Sequence, residues 1–306
     1  RYYGCPGEEF GCGKMFMARA GLFDDLDAAF TWHGGAYNAI TADHSLANLC
    51  AYFKFKGRTS HAAGSPHLGR SALDACELMN VGCNYLREHI LPDERIHYAY
   101  TDVGGSAPNV VQDHACVFYY VRSPRLYQVL DLYERVKDVA RGAALMTGTQ
   151  LEIVLNDGLC DYVPNDTLSK LLYESFCEVG GPKFSEEEKA LAAEFAKTFD
   201  PAAVADKART LAAHFGPEVA EKYKDQILVE DIFPYHASDM ISSGSTDVGD
   251  VSYCAPTAQM NVSTWALCTT GHTWQVTAQS GSDIGRTGTV KAAEVLALAS
   301  IKAMQN

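Results

Sequence analysis

The sequence predicts a mixed α/β fold in which one segment of alternating strands and helices is inserted into a larger α/β domain. Residues 48–160 contain strand-like and helix-like stretches in the order β-α-β-β-α-β. Residues 1–47 and 161–306 on either side show further mixed α/β patterns. We therefore expect the chain to leave an outer domain near residue 48 and to re-enter it near residue 161.

Within residues 48–160 the spacing of apolar residues separates strands from helices. Short runs of apolar and aromatic residues predict strands at 49–55, 96–103, 115–121 and 149–155. Longer stretches predict helices at 69–90 and 125–146. The apolar residues at helical spacing in the second helix are Val129, Leu130, Leu132, Tyr133 and Val136. This order of elements is that of a split ferredoxin-like unit.

The flanking segments carry weaker signals of the same class. We predict a strand that ends at residues 1–3, a helix over 13–20, a strand over 27–32 that ends at His33, and a final helix over 291–304. Residues 185–231 are rich in Ala, Glu and Lys, which predicts a helical insert of two or three amphipathic helices.

Composition and charge argue against two classes of partner. The chain has 306 residues, of which 47% are hydrophobic and 21% charged, as in globular proteins. Its formal net charge of −13 makes nucleic acid, a polyanion, a poor partner. No run of 18 apolar residues occurs, so we predict no membrane span.

Ten cysteines are compatible with a disulfide framework or with reduced thiols. Several lie in apolar runs, as Cys76 and Cys116 do, and no Cys-x-x-Cys pair occurs. Free cysteine behaves as a small buried hydrophobe, and disulfides belong to oxidising compartments. We therefore expect reduced, mostly buried thiols in a cytoplasmic protein.

Glu8 and Glu9 are adjacent carboxylates on a loop that contains Pro6 and Gly7. Like charges repel, so neighbouring carboxylates are a poor packing device, and a solvated acidic turn is the simpler interpretation. Successive side chains on an extended backbone point in different directions. In a metal site, one carboxylate would bind the metal while the other faced the substrate water.

Two histidines occupy positions that α/β enzymes often use. His33 follows an apolar strand and precedes two glycines, and His272 follows Gly271 in a stretch of small residues. Site residues of α/β folds lie at the carboxyl ends of parallel strands, and small residues let the backbone approach a bound species. Each histidine alone also fits a structural role, so both interpretations stay open.

Two further loops carry polar residues. His61 and His67 lie among small residues and fit metal ligands, oxyanion donors or turn residues equally well. Residues 245–251 resemble a calcium loop weakly, because they lack the EF-hand glycine position and the final glutamate. For this segment we expect a capped turn.

Seven segments, in one order along the chain, resemble motifs of the M20 peptidase family. They are Cys5-Pro6-Gly7-Glu8-Glu9, Thr31-Trp32-His33, the stretch from His61 to Arg70, Pro108-Asn109-Val110-Val111, Val121-Arg122, the stretch from Ser245 to Val251, and His272-Thr273-Trp274-Gln275. The last two are similar to the aminobenzoyl-glutamate utilisation branch of the family in particular. The resemblance runs from residue 1 to about residue 300.

The resemblance implies a metal centre and a general base. Glu8 is expected to be the general base and acid, and Glu9, His33 and His272 are expected to be metal ligands. The implied cofactor is a pair of divalent ions in the full-length protein. Mixed carboxylate and imidazole ligands suit zinc and manganese alike.

The resemblance also implies three residues that act on the substrate. His61 is expected to reach into the active site of a partner subunit and hold the scissile carbonyl oxygen. Asn109 and Arg122 are expected to bind substrate, with the arginine clamping a carboxylate that matches its planar guanidinium. Arg122 follows Asn109 by thirteen residues across a predicted short hairpin turn, so we expect both on one face of adjacent strands. An arginine that caps a strand at the surface is the alternative.

One part of the family pattern is not found in this sequence. The other metal ligands of the family belong to a Gly-His-Gly-Cys-Gly-His-like segment upstream of the Glu-Glu motif, and no such segment occurs in the 306 residues. We therefore expect the catalytic domain to begin before Arg1 and the chain alone to bind metal poorly. A non-catalytic fragment that dimerises through residues 48–160 is the corresponding alternative.

The implied function is metal-dependent hydrolysis of the amide bond between an acyl group, such as aminobenzoyl, and an amino acid, such as glutamate. A dipeptidase or an N-acyl-amino-acid deacylase of the same family is the enzymatic alternative. The resemblance implies a homodimer built by residues 48–160 as a lid domain, whose sheet edges need a partner or a cover. It leaves a second, different subunit open.

Overall fold

The structure, a computed structural model, describes residues 1–8, 12–242 and 244–305. Its strands are β1 (Ala29–Gly35), β2 (Ala39–Ile40), β3 (Ala47–Lys56), β4 (Arg95–Asp102), β5 (His114–Ser123), β6 (Gln150–Leu159) and β7 (Thr257–Ser263). Its helices are α1 (Gly13–Arg19), α2 (Ala72–Leu86), α3 (Leu126–Thr147), α4 (Asp166–Val179), α5 (Glu186–Ala196), α6 (Pro201–Phe215), α7 (Pro217–Tyr223), α8 (Val248–Cys254), α9 (Trp274–Ser280) and α10 (Asp283–Gln305). The strands form two sheets, so the mixed α/β class is confirmed.

The chain divides into two compact units. The first unit contains Arg1–Asp24, His44–Val163 and Met240–Cys254. The second unit contains Asp25–Asp43, Pro164–Asp239 and Ala255–Asn306. Residues 48–160 lie wholly within the first unit, and their boundaries as a separate domain stay a prediction.

The first unit contains a four-stranded antiparallel sheet in the order β4-β5-β3-β6. One face of this sheet packs against α2 and α3, and the buried side chains between them include Phe53, Met79, Tyr119, Leu132 and Val136. The four predicted strands and two predicted helices are all present. Their order in the sheet is that of the split βαββαβ unit.

Capping residues set the ends of the two helices in this unit. The Ser71 side chain accepts the N–H of Asp74 at 3.0 Å, so α2 begins after Ser71 rather than at the predicted residue 69. Gly148 ends α3 in a left-handed conformation, with φ of 65°. Leu130 of α3 is 50% exposed, so its prediction as part of the apolar face was wrong. Leu130 follows Val129 directly, so its side chain points about 100° around the helix axis from the buried face.

The second unit contains a three-stranded sheet in the order β1-β7-β2. β1 is parallel to β7, and β2 is antiparallel to it. The core includes Met260 and Val262 of β7, Phe176 of α4 and Val295 of α10. Helices α5, α6 and α7 lie within residues 185–231, where two or three helices were predicted. That these helices form an insert stays a prediction.

Three predicted boundaries in the flanking segments differ from the structure. Residues 1–3 are not in a strand. β1 continues to Gly35, so His33 lies inside the strand. α10 begins at Asp283 rather than 291. Gly288 in its first half packs closely, since a Cβ there would lie 2.3 Å from the carbonyl oxygen of Ser263. Within the described ranges, each helix is too short or too polar to cross a bilayer.

Candidate active site

His33 lies near the carboxyl end of β1, and His272 lies in the loop that follows the parallel strand β7. His33 pairs with Asn261 of β7, close to the end of both strands. His272 lies in the loop between β7 and α9. Parallel neighbours end at the same edge of a sheet, where α/β folds place ligand sites. His33 thus lies two residues before the carboxyl end of β1, and its role as a metal ligand stays a prediction.

The tautomer of His33 follows from its backbone neighbour. Its Nδ1 lies 2.5 Å from the carbonyl oxygen of Gly34. A carbonyl oxygen only accepts, so Nδ1 carries the proton and donates it, and the lone pair of the neutral ring is on Nε2. His33 is exposed. Metal-ligating histidines usually have this arrangement, with the second nitrogen oriented by a carbonyl or carboxylate.

His272 has an unusual backbone conformation. Its φ is 57°, in the left-handed region that residues other than glycine rarely occupy. Such conformations cost free energy and concentrate at functional sites. The residue is exposed. The conformation is therefore consistent with the predicted ligand role, which the structure leaves as a prediction.

Glu8 belongs to the first unit and lies directly before the segment that leads into α1. Glu9, the predicted metal ligand, falls outside the described residues, so its role stays a prediction. The preceding loop folds back onto α1: a Cβ on Gly13 would lie 1.9 Å from the carbonyl oxygen of Pro6. Glycine at position 13 is thus required by the path of the loop that carries the carboxylates.

A buried ion pair anchors α1 to the residues that begin α8. Lys14 Nζ lies 2.6 Å from Asp247 Oδ1, and the Lys14 backbone N–H donates to Asp247 Oδ2 at 2.8 Å. The Asp247 side chain is fully buried. Sequence reasoning expected a capped turn here, and Thr246 Oγ1 does accept the N–H of Val248 at 3.4 Å. The sequence analysis did not predict the ion pair, which holds α1, the helix that follows Glu8, in place.

The carboxylate of Asp250 in α8 is half-buried beside the end of β6. Asp250 accepts the N–H of Cys160 at 3.4 Å. Burial raises the pKa of Asp250 to about 6. The helix packs closely here, because a Cβ on Gly249 would lie 2.0 Å from the carbonyl oxygen of Cys160.

His61 has the tautomer opposite to that of His33. Its Nδ1 accepts the backbone N–H groups of Ala63 at 3.2 Å and Gly64 at 3.0 Å. An amide N–H only donates, so Nδ1 holds the lone pair and the neutral ring keeps its proton on Nε2. His61 is exposed. Its outward nitrogen is therefore a hydrogen-bond donor, as an oxyanion contact requires.

The structure brings His61 and Asn109 together. The segment around His61 pairs with residues 109–111: Ala62 N–H donates to the Asn109 carbonyl oxygen at 2.9 Å, and Val111 N–H donates to the Ser60 carbonyl oxygen at 3.0 Å. Both His61 and Asn109 are exposed. These two predicted substrate-binding residues thus lie on neighbouring segments at one end of the sheet.

Arg122 lies at the other end of the same sheet, so its predicted placement beside Asn109 was wrong. Asn109 belongs to the loop between β4 and β5, which is long rather than the short turn expected, and β5 begins only at His114. Arg122 is the penultimate residue of β5. Eight residues of extended strand separate His114 from Arg122 by about 27 Å. Within one chain, the segment that carries His61 and the residue Arg122 therefore lie towards opposite ends of β5.

Arg122 lines a cavity of about 380 Å³ in the first unit. Arg95 and His97 of β4 line it too. The sequence analysis did not identify Arg95 or His97 as site residues, because an isolated polar residue in an edge strand is usually a surface position. A signal was available: the alternation of β4 places Arg95 and His97 on one face, opposite the buried Ile96.

Across residues 1–8, 12–242 and 244–305, no group of three His, Cys, Asp or Glu side chains is arranged to hold a metal. The predicted ligands His33 and His272 belong to the second unit, and Glu9 is not described. The donor types still fit a divalent ion, since carboxylate oxygen and the Nε2 lone pair of His33 are ordinary zinc and manganese ligands.

Known proteins are similar to this chain along nearly its whole length. It is 42% identical over 304 residues to one of the subunits of p-aminobenzoyl-glutamate hydrolase from Escherichia coli (strain K12), covering 98% of this chain and 63% of that protein. It is 30% identical over 307 residues to Xaa-Arg dipeptidase of Mus musculus, covering 97% of this chain and 57% of that protein. No model of a protein family matches the chain.

A solved structure shares the fold. The aminobenzoyl-glutamate utilization protein from Klebsiella pneumoniae matches 94% of this chain and 57% of its own chain, with a TM-score of 0.56 and 18% identity. The chain belongs to the M20 amidohydrolase family. It spans less than two thirds of the length of each of these relatives.

Proposed function

We propose that the protein containing this chain is a metal-dependent amidohydrolase. It would cleave the amide bond between an acyl group such as aminobenzoyl and an amino acid such as glutamate. The observation that carries the proposal is the opposite tautomers of two exposed histidines: Nε2 of His33 offers a lone pair, and Nε2 of His61 offers a proton. A metal ligand needs the first and an oxyanion donor needs the second. The similarity to the E. coli hydrolase supports the choice of substrate.

Glu9, His33 and His272 would hold the divalent ions, together with the further ligands that the family expects. Zinc and manganese both suit this mixture of carboxylate and imidazole. Bound ions supply Lewis acidity, which activates water near neutral pH and polarises the carbonyl group.

The residues of this chain would then divide the remaining work. Glu8 takes a proton as water attacks the carbonyl carbon and passes it to the departing nitrogen, so that the amine leaves neutral. Nε2–H of His61 donates to the carbonyl oxygen as negative charge develops there. Asn109, beside His61, adds a polar contact to the substrate. Arg122 pairs with the carboxylate of the amino acid.

The separation of His61 from Arg122 supports a dimeric site. A substrate that contacts both residues would draw them from different copies of the chain. The segment paired with His61 leads into β5 at His114, which lies about 27 Å along the strand from Arg122. We therefore propose that residues 48–160 form a lid and dimerisation domain. The sheet edges at β4 and β6 leave backbone groups for a partner. The name of the E. coli relative makes it one subunit of its hydrolase, so a second, different subunit is the alternative partner.

We place the protein in the cytoplasm, where thiols stay reduced. Its ten cysteines are free thiols, and Cys50, Cys76 and Cys83 are buried in the first unit. Burial raises the pKa of Cys83 to about 11, so this thiol stays protonated and unreactive.

Substrate profiling tests the proposal. The complete protein, loaded with zinc or manganese, is given aminobenzoyl-glutamate, N-acetylglutamate and a dipeptide that ends in arginine. We expect the highest kcat/KM for aminobenzoyl-glutamate. Faster cleavage of the dipeptide would favour the second candidate, a dipeptidase, which the similarity to the mouse enzyme supports. If metal-loaded protein hydrolyses none of them, both enzymatic candidates fail and the non-catalytic alternative stands.

A further inference from the structure

Two arginines face each other across neighbouring strands of the first unit. Arg95 of β4 is the register partner of Arg122 of β5. Residues directly opposite on paired strands point to the same face with Cβ atoms about 5 Å apart, and like charges in these positions repel. The adjacent pair Ile96 and Val121 is buried in the core on the helix side. The arginine pair therefore lies on the open face of the sheet. An anion bound between the two guanidinium groups would relieve their repulsion.

The cavity at this pair has the size and charge for a small organic anion. It measures about 380 Å³, within the usual range for small-molecule sites. The residues that line it are Leu46, Asp93, Arg95, His97, Arg122, Ile241 and Ser242. The lining thus contains two guanidinium groups and one imidazole but a single carboxylate, that of Asp93.

Two neighbouring buried polar groups, one of them on a cavity-lining residue, lack a hydrogen-bond partner among the described residues. The Nε–H of Arg122 is buried and has no hydrogen-bond partner among the described residues. Asn48 of β3, the register partner of Arg122, is 5% exposed, and its Oδ1 likewise has none there. Native structures seldom leave such groups unpaired. The guanidinium of Arg122, which lines the cavity, thus keeps hydrogen-bonding capacity that the described residues do not use.

Both guanidinium groups are already oriented. The Arg122 guanidinium carbon lies 5.7 Å from the centroid of the Tyr120 ring, a cation–π contact. Arg95 Nη1 donates to the carbonyl oxygens of Pro92 at 2.5 Å and Glu94 at 2.7 Å. A guanidinium has five N–H donors, so the Nε and Nη2 side of Arg95 is the part that would meet a ligand.

We propose that Arg95 and His97 bind the second carboxylate of a dicarboxylic amino acid whose first carboxylate is held by Arg122. The inference rests on the proposed function and adds the residues that would select an amino-acid half with two carboxylates. Burial, with the charges of Arg122, Arg87 and Arg95, lowers the pKa of His97. The free site thus holds a neutral ring at pH 7, and an arriving carboxylate favours its protonated form.

Equilibrium binding to metal-free protein tests this assignment without turnover. N-Acetylglutamate should bind about ten- to a hundred-fold more tightly than N-acetylglutamine, as expected for one charge-assisted pair. Arg95→Gln should remove most of that preference and leave the affinity for N-acetylglutamine within about twofold. Arg122→Gln should weaken both ligands. The control Arg141→Gln, an exposed arginine on α3 that pairs with Asp138, should match wild type.

A preference that survives intact in Arg95→Gln would overturn the assignment, and so would failure of wild type to bind N-acetylglutamate. If Arg95→Gln unfolds by circular dichroism, His97→Gln replaces it and should lower the preference by about threefold or more. An unchanged preference in His97→Gln would also overturn the assignment. Because no metal is present, loss of the preference leaves the hydrolysis proposal untouched, and absence of hydrolysis leaves the binding result standing.

Discussion

Nδ1 of His61 accepts the backbone N–H of Gly64 at 3.0 Å. This hydrogen bond decides which ring nitrogen keeps the proton, so the exposed Nε2 of His61 is a donor. A donor aimed at developing oxyanion charge is worth about 10²–10³ in rate. The backbone of the loop thus prepares the side chain for the role we propose.

Replacing His61 should therefore affect turnover rather than metal binding. We expect His61→Ala in the complete protein to lower kcat by about 10²–10³ with unchanged metal content. His67→Ala is the matched control, an exposed histidine in the same loop. Steady-state kinetics and metal analysis of the two variants check this. Equal losses in both would mean that the loop, not the Nε2 donor of His61, matters.

Glu8 should be separable from Glu9 by the same two measurements. Glu8→Gln keeps the shape of the side chain but cannot take a proton, so kcat should fall by about 10²–10⁴ while bound metal stays near the wild-type level. Glu9→Gln should lose metal. If instead Glu8→Gln loses metal and Glu9→Gln retains it, the two carboxylates have exchanged roles.

The buried pair Lys14–Asp247 should dominate the attachment of α1. Asp247→Asn leaves the Lys14 charge buried without a counter-charge, which should lower the free energy of unfolding by about 3–5 kcal/mol. The double variant Lys14→Met with Asp247→Leu removes both charges and should recover most of that loss. Urea denaturation followed by far-UV circular dichroism, which reports on the helices of both units, measures both free energies of unfolding.

The matched control for this pair is Lys54→Met. Lys54 forms an exposed pair with Glu152 at 4.0 Å, so its loss should change the free energy of unfolding by less than about 1 kcal/mol. A loss in Asp247→Asn no larger than in this control would contradict the buried ion pair.

Asp250 should make stability fall as pH rises from about 4 to about 6. Its pKa is about 6 in the folded protein and about 3.9 in an unfolded chain. Between these values the folded state binds more protons, so the free energy of unfolding decreases with pH. Asp250→Asn should therefore stabilise the protein by about 1–3 kcal/mol at pH 7 and by nearly nothing at pH 4. Asp283→Asn, at an exposed ion pair, serves as control. The same gain at both pH values would contradict the raised pKa.

The βαββαβ segment could be predicted because its signals are local. In β3, Phe53 and Phe55 face the core while Lys54 and Lys56 face outward, the period-2 pattern of a half-buried strand. In α3, Val129, Leu132 and Val136 recur at helical spacing and are buried.

The arrangement of the candidate site could be predicted only in part. The site residues could be identified only from the ordered set of motifs, because each residue alone also fits a turn or a surface position. Contacts between distant segments leave no local pattern: Lys14 and Asp247 lie 233 residues apart. The sequence also did not reveal how long the loop that carries Asn109 is. This length places Asn109 far from Arg122.

In the dimer we propose, one active site takes His61 from one copy and Arg122 from another. Mixing two impaired variants of the complete protein, His61→Ala and Arg122→Ala, tests it most directly. In a mixed dimer one of the two symmetric sites contains neither substitution. After subunit exchange in an equal mixture, we expect kcat/KM per site to recover to about a quarter of the wild-type value, because half of the dimers are mixed and half of their sites are intact. If mass spectrometry shows mixed dimers and activity stays at the level of the separate variants, the claim is contradicted.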